Sequence, residues 1–266
     1  MLGKLVKYDL KYGARIFIVL HVLLLGACIL GRVLFMNQLD FHLGAKAIIS
    51  PLIIFSSLFL LLFTSIGFGI TILLVARFYK NLFTDEGYLS WTLPATATQQ
   101  LWAKIISGVI WETLNILITA GALLILVSGD NVTSAYSEVA SEITMSLGMP
   151  IGQMGIHWVI YALIGTAGSV VMIYLCVAIG QLFPGHRILC AIVTYFILSA
   201  VIQVITFALM YLLNIGPGTA TYITGQGVST HYVLTTFRLG GVLSVVVMIA
   251  AYIGVHYILN KKLNLS

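Results

Sequence analysis

Apolar residues fall into six long runs along this chain, at about residues 16–36, 50–76, 105–127, 155–182, 188–213 and 237–259, with polar stretches between them. Each run has the roughly 18 residues or more that a helix needs to cross about 30 Å of hydrocarbon. Helix is the expected form, because an unpaired backbone group in lipid costs several kcal/mol. The pattern ahead of the first run is different. On a helix, Lys4, Lys7, Lys11 and Arg15 fall in one stripe, with Leu2, Leu5, Val6 and Leu10 broadly opposite. That spacing predicts an amphipathic interfacial helix over residues 1–15, its cations suited to anionic lipid head groups. Asp9 interrupts the apolar side, which either a local ion pair or a contact with a partner subunit would explain.

Composition narrows the class. Of 266 residues, 60% are apolar and 8% charged, against about 25% charged in soluble proteins. The expected fold is an all-α polytopic membrane protein, one domain over residues 1–266 with six transmembrane helices. The net charge of +5 would suit nucleic acid, but the placement of the cations follows membrane topology instead. With the N-terminus inside, Lys4, Lys7, Lys11, Arg15, Arg77, Lys80, Lys104, Arg187, Lys261 and Lys262 are inside, against Arg32, Lys46 and Arg238 outside. That bias puts both termini in the cytoplasm of a cell-membrane protein, with lipid and not nucleic acid as its surroundings. Cys28, Cys176 and Cys190 lie inside apolar runs and read as packing residues. Leu25 to Cys28 resembles a lipoprotein cleavage box, but the apolar run continues past it and reads as an uncleaved first span. On the outer side, residues 128–154 hold Asp130, Glu138 and Glu142 with many Ser and Thr, and residues 214–236 are rich in Gly and Thr. Asn131-Val132-Thr133 fits a glycosylation acceptor.

Residues 77–104, RFYKNLFTDEGYLSWTLPATATQQLWAK, form the longest stretch that carries both charge signs. Phe78, Tyr79, Leu82 and Phe83 predict an apolar-aromatic face on a short helix, and Thr84-Asp85-Glu86-Gly87 a helix stop or a fresh start, with Gly87 free to take positive φ. Thr96-Ala97-Thr98-Gln99 matches a capping box, from which a helix runs into the third span. The acidic pair Asp85-Glu86 suits basic groups on a partner protein better than an anionic leaflet.

This phrase resembles the loop between spans 2 and 3 of permease subunits in ABC-2 type ATP-binding-cassette transporters. Small bacterial members share an aromatic-rich run, an acidic residue, Gly-Tyr, Leu-Pro, a polar helix start and a Lys opening the third span. The basic N-terminus, the six spans and the loop Gln181 to Arg187 also fit. The resemblance implies a coupling helix seated on a separate ATPase, two permeases working with two ATPases, and ATP and Mg held by that partner. Carried over by position, Phe83, Thr84, Asp85, Glu86, Gly87 and Tyr88 would be the coupling contact, and Pro184, His186 and Arg187 a smaller second one. No cofactor would bind this chain.

The chain has no Walker loop, no H-E-x-x-H and no Gly-x-Ser-x-Gly. Its six histidines are scattered and read as packing, capping or interface residues. It is therefore read as a transport subunit and not an enzyme. The charged residue deep in a span is Glu112, eight positions after Lys104 and so about 12 Å along the third helix. It would reach the inner interface, pair with an Arg or Lys there, or line a translocation path with Asn115 and Gln203. Asn115, at i+3, shares its face. Uncharged fourth and fifth spans suit a hydrophobic or amphipathic cargo. Of the permeases this chain resembles, some export amphipathic or antimicrobial peptides and others drugs or lipid-linked glycans. The resemblance therefore implies an exporter working as a homodimer or with a sister permease, with a membrane-partitioning peptide, such as a peptide toxin or antimicrobial peptide, as the first choice of cargo. The alternative is an ion-coupled secondary transporter using Glu112. The spacings Ala27/Gly31, Gly165/Ser169 and Gly240/Ser244 permit close helix approach without locating a dimer seam.

Overall fold

The computed structural model describes residues 1–40, 45–84, 87, 92, 94–215 and 230–261. Among these are seven α-helices and no strand: α1 (Leu2–Leu34), α2 (Ala45–Phe83), α3 (Ala97–Val127), α4 (Asp130–Leu147), α5 (Ile151–Gly180), α6 (Arg187–Leu212) and α7 (Thr230–Lys261). All but α4 are long and apolar enough to cross a membrane, as the six apolar runs predicted. The fold class is an all-α multi-pass bundle.

Residues 1–15, expected as an interfacial helix, are not set apart from the first span. Residues 2–15 continue without interruption into the first span, giving one helix of 33 residues, about 50 Å long at 1.5 Å per residue. Its buried positions, Asp9, Gly13, Phe17, His21, Leu24 and Cys28, recur at three- and four-residue intervals and make one packing stripe. The face that Asp9 seemed to interrupt is therefore the face turned into the bundle, while Lys4, Lys7, Lys11 and Arg15 point outward.

Helices α1, α3, α5 and α7 make the body of the bundle, with α2 laid against α1 and α3 and α6 against α5. None of the residues of α6 is buried. One apolar cluster, including Phe78, Leu101, Trp111, Tyr174 and Val255, joins α1, α2, α3, α5 and α7 toward the N-terminal side. A second, around Leu24, Cys28, Ile66 and Leu126, fills the opposite half between α1, α2 and α3. Helices approach closely at glycines. A Cβ on Gly108 would lie 2.8 Å from Val170 Cγ1, and one on Gly168 2.7 Å from the Ser244 carbonyl oxygen. The small residues of α5 and α7 thus pack within one chain.

Residues 130–147, read from sequence only as an acidic loop, form α4. It starts from Gly129 and ends on Gly148 at φ 72°, a left-handed cap that glycine accepts without strain. The Asn131 amide donates to the carbonyls of Met36 (2.6 Å) and Leu39 (2.8 Å), pinning α4 to the turn after α1. That Nδ2 is committed to the backbone, which argues against the expected glycosylation acceptor. Arg32 donates to Ser128 Oγ at 3.0 Å on the same side.

Candidate functional site

The N-terminal ends of α1 and α3 and the C-terminal ends of α2, α5 and α7 meet at one end of the bundle. Asp9 is the centre of this meeting. One of its carboxylate oxygens accepts from Arg77 Nε at 2.9 Å and from Lys104 Nζ at 2.5 Å. Asp9 is 5% exposed and the Lys104 side chain 6%, so little water reaches the pair, whereas Arg77 keeps 18% of its side chain accessible. The Arg77 guanidinium also lies over the Tyr12 ring, 4.3 Å from its centre. Asp9 is neither in a solvated turn nor in a local ion pair: both of its cations come from other helices, 68 and 95 residues along the chain. Buried charge of this kind costs several kcal/mol in desolvation unless paired and hydrogen-bonded; here one carboxylate serves two donors from two other helices.

The contacts extend to α5 and α7. Tyr174, fully buried on α5, donates its hydroxyl to the Lys104 carbonyl at 3.2 Å and stacks on Phe78, ring centres 4.1 Å apart. Thr98 Oγ1 and His256 Nε2 lie 3.1 Å apart, joining α3 to α7. The predicted capping box is present in both halves: Gln99 N–H donates to Thr96 Oγ1 at 3.2 Å, and Thr96 N–H to Gln99 Oε1 at 3.3 Å. Helix α3 therefore starts where its sequence signal puts it.

This collar carries the stretch expected to dock a partner. Phe83 is the last residue of α2, half-buried, its ring edge-on to Phe78 at 5.7 Å. Phe78 and Leu82 are fully buried. The aromatic face expected to form a separate short helix is thus the inward side of the last turns of α2, and is packed in the core. Thr84 donates to the Lys80 carbonyl at 2.7 Å, and Gly87 N–H to the Thr84 carbonyl at 2.7 Å. Gly87 sits so close to Leu82 that a Cβ would fall 2.8 Å from its carbonyl carbon. Asp85, Glu86 and Tyr88 lie outside the described residues. Pro184 and His186 are exposed in the turn between α5 and α6, next to exposed Leu182 and Phe183. Arg187 opens α6, and its Nε is buried without a hydrogen-bond partner among the described residues.

Glu112 has different company from that expected. It accepts from Asn115 Nδ2 at 3.4 Å, as the i+3 spacing suggested, while among the described residues no Lys or Arg forms an ion pair with it. Lys104, the nearest cation in sequence, is committed to Asp9. Asn115 Oδ1 in turn lies 3.2 Å from Nε2 of His21, a buried residue of α1 whose Nδ1 is 2.9 Å from the Phe17 carbonyl. The His21 ring stacks on Phe17 at 3.9 Å, and Phe17 lies 4.3 Å from Trp111. His21 was read, like the other histidines, as a packing, capping or interface residue. A histidine one helical turn after Phe17 on the buried stripe was the signal for it.

Gln203 lies elsewhere. It lines a cleft of 370 Å³ between α5, α6 and α7 with Gly165, Ser169, Thr206 and Ser244. Thr206 is spent on its own helix, donating to the Ile202 carbonyl at 2.8 Å. Within one chain, then, Glu112 and Asn115 belong to the α1–α3 contact and Gln203 to a separate cleft. No family model, curated protein or solved structure matches this chain.

Proposed function

We propose that this chain is the membrane-spanning permease subunit of an exporter driven by a separate ATPase, of the ABC-2 type that residues 77–104 resemble. The observation that carries the reading is the way the segment between α2 and α3 is mounted. Its two roots, the end of α2 and the start of α3, are tied to α1 through Arg77–Asp9–Lys104 and to α5 through Tyr174. A push on that segment would move four helices together, which is what a coupling element must do. A partner that binds the segment differently in its two nucleotide states would shift the conformational equilibrium of the whole bundle.

In this reading the N-terminal end of the bundle faces the cytoplasm, Asp85 and Glu86 meet basic groups of the ATPase, and the exposed turn at Leu182 to His186 makes a second contact. Two permease copies work with two ATPases, and the cargo is hydrophobic or amphipathic, with a membrane-partitioning peptide the first choice. Co-purification tests it: Asp85→Lys with Glu86→Lys lowers recovery of the ATPase or uncouples hydrolysis from export, and unchanged transport would refute it. A second reading, an ion-coupled carrier, draws support from Glu112 and its hydrogen bond to Asn115. Collapsing the proton gradient while ATP is held constant stops the carrier and leaves the ATP-driven exporter running.

A further inference from the structure

The hydrogen-bonding arithmetic between α1 and α3 constrains how many protons the two helices hold. His21 Nδ1 faces the Phe17 carbonyl, which can only accept, so Nδ1 must carry a hydrogen. With Asn115 Oδ1 toward Nε2, a second hydrogen on Nε2 completes that bond as well and makes the ring an imidazolium. Asn115 Nδ2 then donates to an ionised Glu112. Turning the amide over gives a second complete arrangement. Nδ2 donates to Nε2 of a neutral His21, and Oδ1 accepts from the carboxylic acid of Glu112. The two arrangements have the same number of protons. Remove one, leaving neutral His21 and ionised Glu112, and the amide has an acceptor on both sides but donors only on one end. Its oxygen must then face either Nε2 or the carboxylate, acceptor against acceptor.

We propose that His21, Asn115 and Glu112 form a single proton-binding site that clasps α1 to α3. One proton from bulk water is held either on His21 Nε2 or on a Glu112 oxygen, the Asn115 amide turning to match, and its loss leaves unmade either the His21–Asn115 bond that joins the two helices or the Asn115–Glu112 bond within α3. Half-buried Glu112 is the end nearer the surroundings, and His21, 4% exposed, is the enclosed end. The neighbouring elements add little competing charge. Over residues 51–76 α2 has no ionisable side chain. From α5 comes Tyr174, within electrostatic reach of both Glu112 and Asp9. On α1 and α3 the inward-facing charges toward this end are Asp9 and Lys104, already paired with each other, Asp9 also with Arg77 from α2, while Arg15, six residues before His21, is exposed on the outer face. The stacked Phe17 ring covers the imidazole, with Trp111 packed on Phe17 in turn. The inference does not depend on whether the chain is driven by ATP or by an ion gradient.

Two spectroscopic titrations of the full chain in lipid nanodiscs test it. One follows the ¹⁵N shifts of the His21 ring, assigned by loss in His21→Gln. The other follows the infrared carboxylic-acid band of Glu112, assigned by loss in Glu112→Gln. In the native protein both signals follow the same midpoints, because the steps of interacting groups belong to the pair. In Asn115→Leu each signal follows a midpoint of its own, the two more than about one pH unit apart, a tenfold difference in proton affinity. Separate midpoints in the native protein overturn the proposal, whether or not Asn115→Leu folds. So does a common midpoint that survives Asn115→Leu.

Discussion

Replacing Asp9 with asparagine removes the carboxylate on which two cations from two other helices converge. Breaking a buried ion pair by deleting one partner costs about 3–5 kcal/mol, since the remaining charge stays desolvated. Arg77 retains 18% exposure and a cation–π contact with Tyr12, so it can turn outward; the Lys104 side chain, at 6%, cannot. The expected loss is therefore at the lower end, about 3 kcal/mol. In a chain of this size that lowers the melting temperature by about 6–12 °C, read from Trp fluorescence in detergent micelles. The double variant Asp9→Leu, Lys104→Met recovers most of the loss, because it removes the enclosed cation along with its partner and leaves Arg77 free to reach head groups. An Asp9→Asn protein within about 0.5 kcal/mol of the native one, the range of an ordinary surface change, refutes the view that the triad holds the collar. A double variant no better than the single one does the same.

Three further substitutions probe the same end of the bundle. Tyr174→Phe keeps the stack on Phe78 but removes the bond to the Lys104 carbonyl, for a loss of about 1 kcal/mol in the same melting assay. Gly108→Ala sets a methyl against Val170 and the Tyr174 hydroxyl and destabilises by about 1–3 kcal/mol; a neutral result would mean that α3 and α5 are not so closely apposed. Thr96→Ala removes the cap of α3 and costs about 1 kcal/mol. Its effect is local, seen as faster amide hydrogen exchange over residues 97–100 with little change elsewhere.

Much of the architecture was legible without coordinates, and the reason is the range of the interactions concerned. Six spans could be read because hydrocarbon demands a continuous run of apolar side chains, a property of neighbours along the chain. The start of α3 could be read because Thr96 and Gln99 satisfy each other three residues apart. Helix α4 was missed although Val132, Tyr136, Val139, Ile143 and Leu147 recur at three- and four-residue intervals, because its Ser, Thr and acidic residues read as a solvated loop. The interfacial helix over residues 1–15 was misjudged as separate because nothing local breaks α1; an amphipathic stripe looks the same whether its partner is lipid or protein.

Tertiary structure alone decided the partners of the charged residues. Asp9 meets cations 68 and 95 residues away, and His21 meets Asn115 94 residues away. No pattern along the chain encodes such pairings, because they depend on which faces of α1, α2 and α3 turn toward one another. The same packing separated Gln203 from Glu112, which composition had grouped only because both are polar residues within spans. Burial in a membrane makes an unpaired charge costly, so the sequence by itself determined that these residues need partners, and the crossing of the helices determined which ones they have.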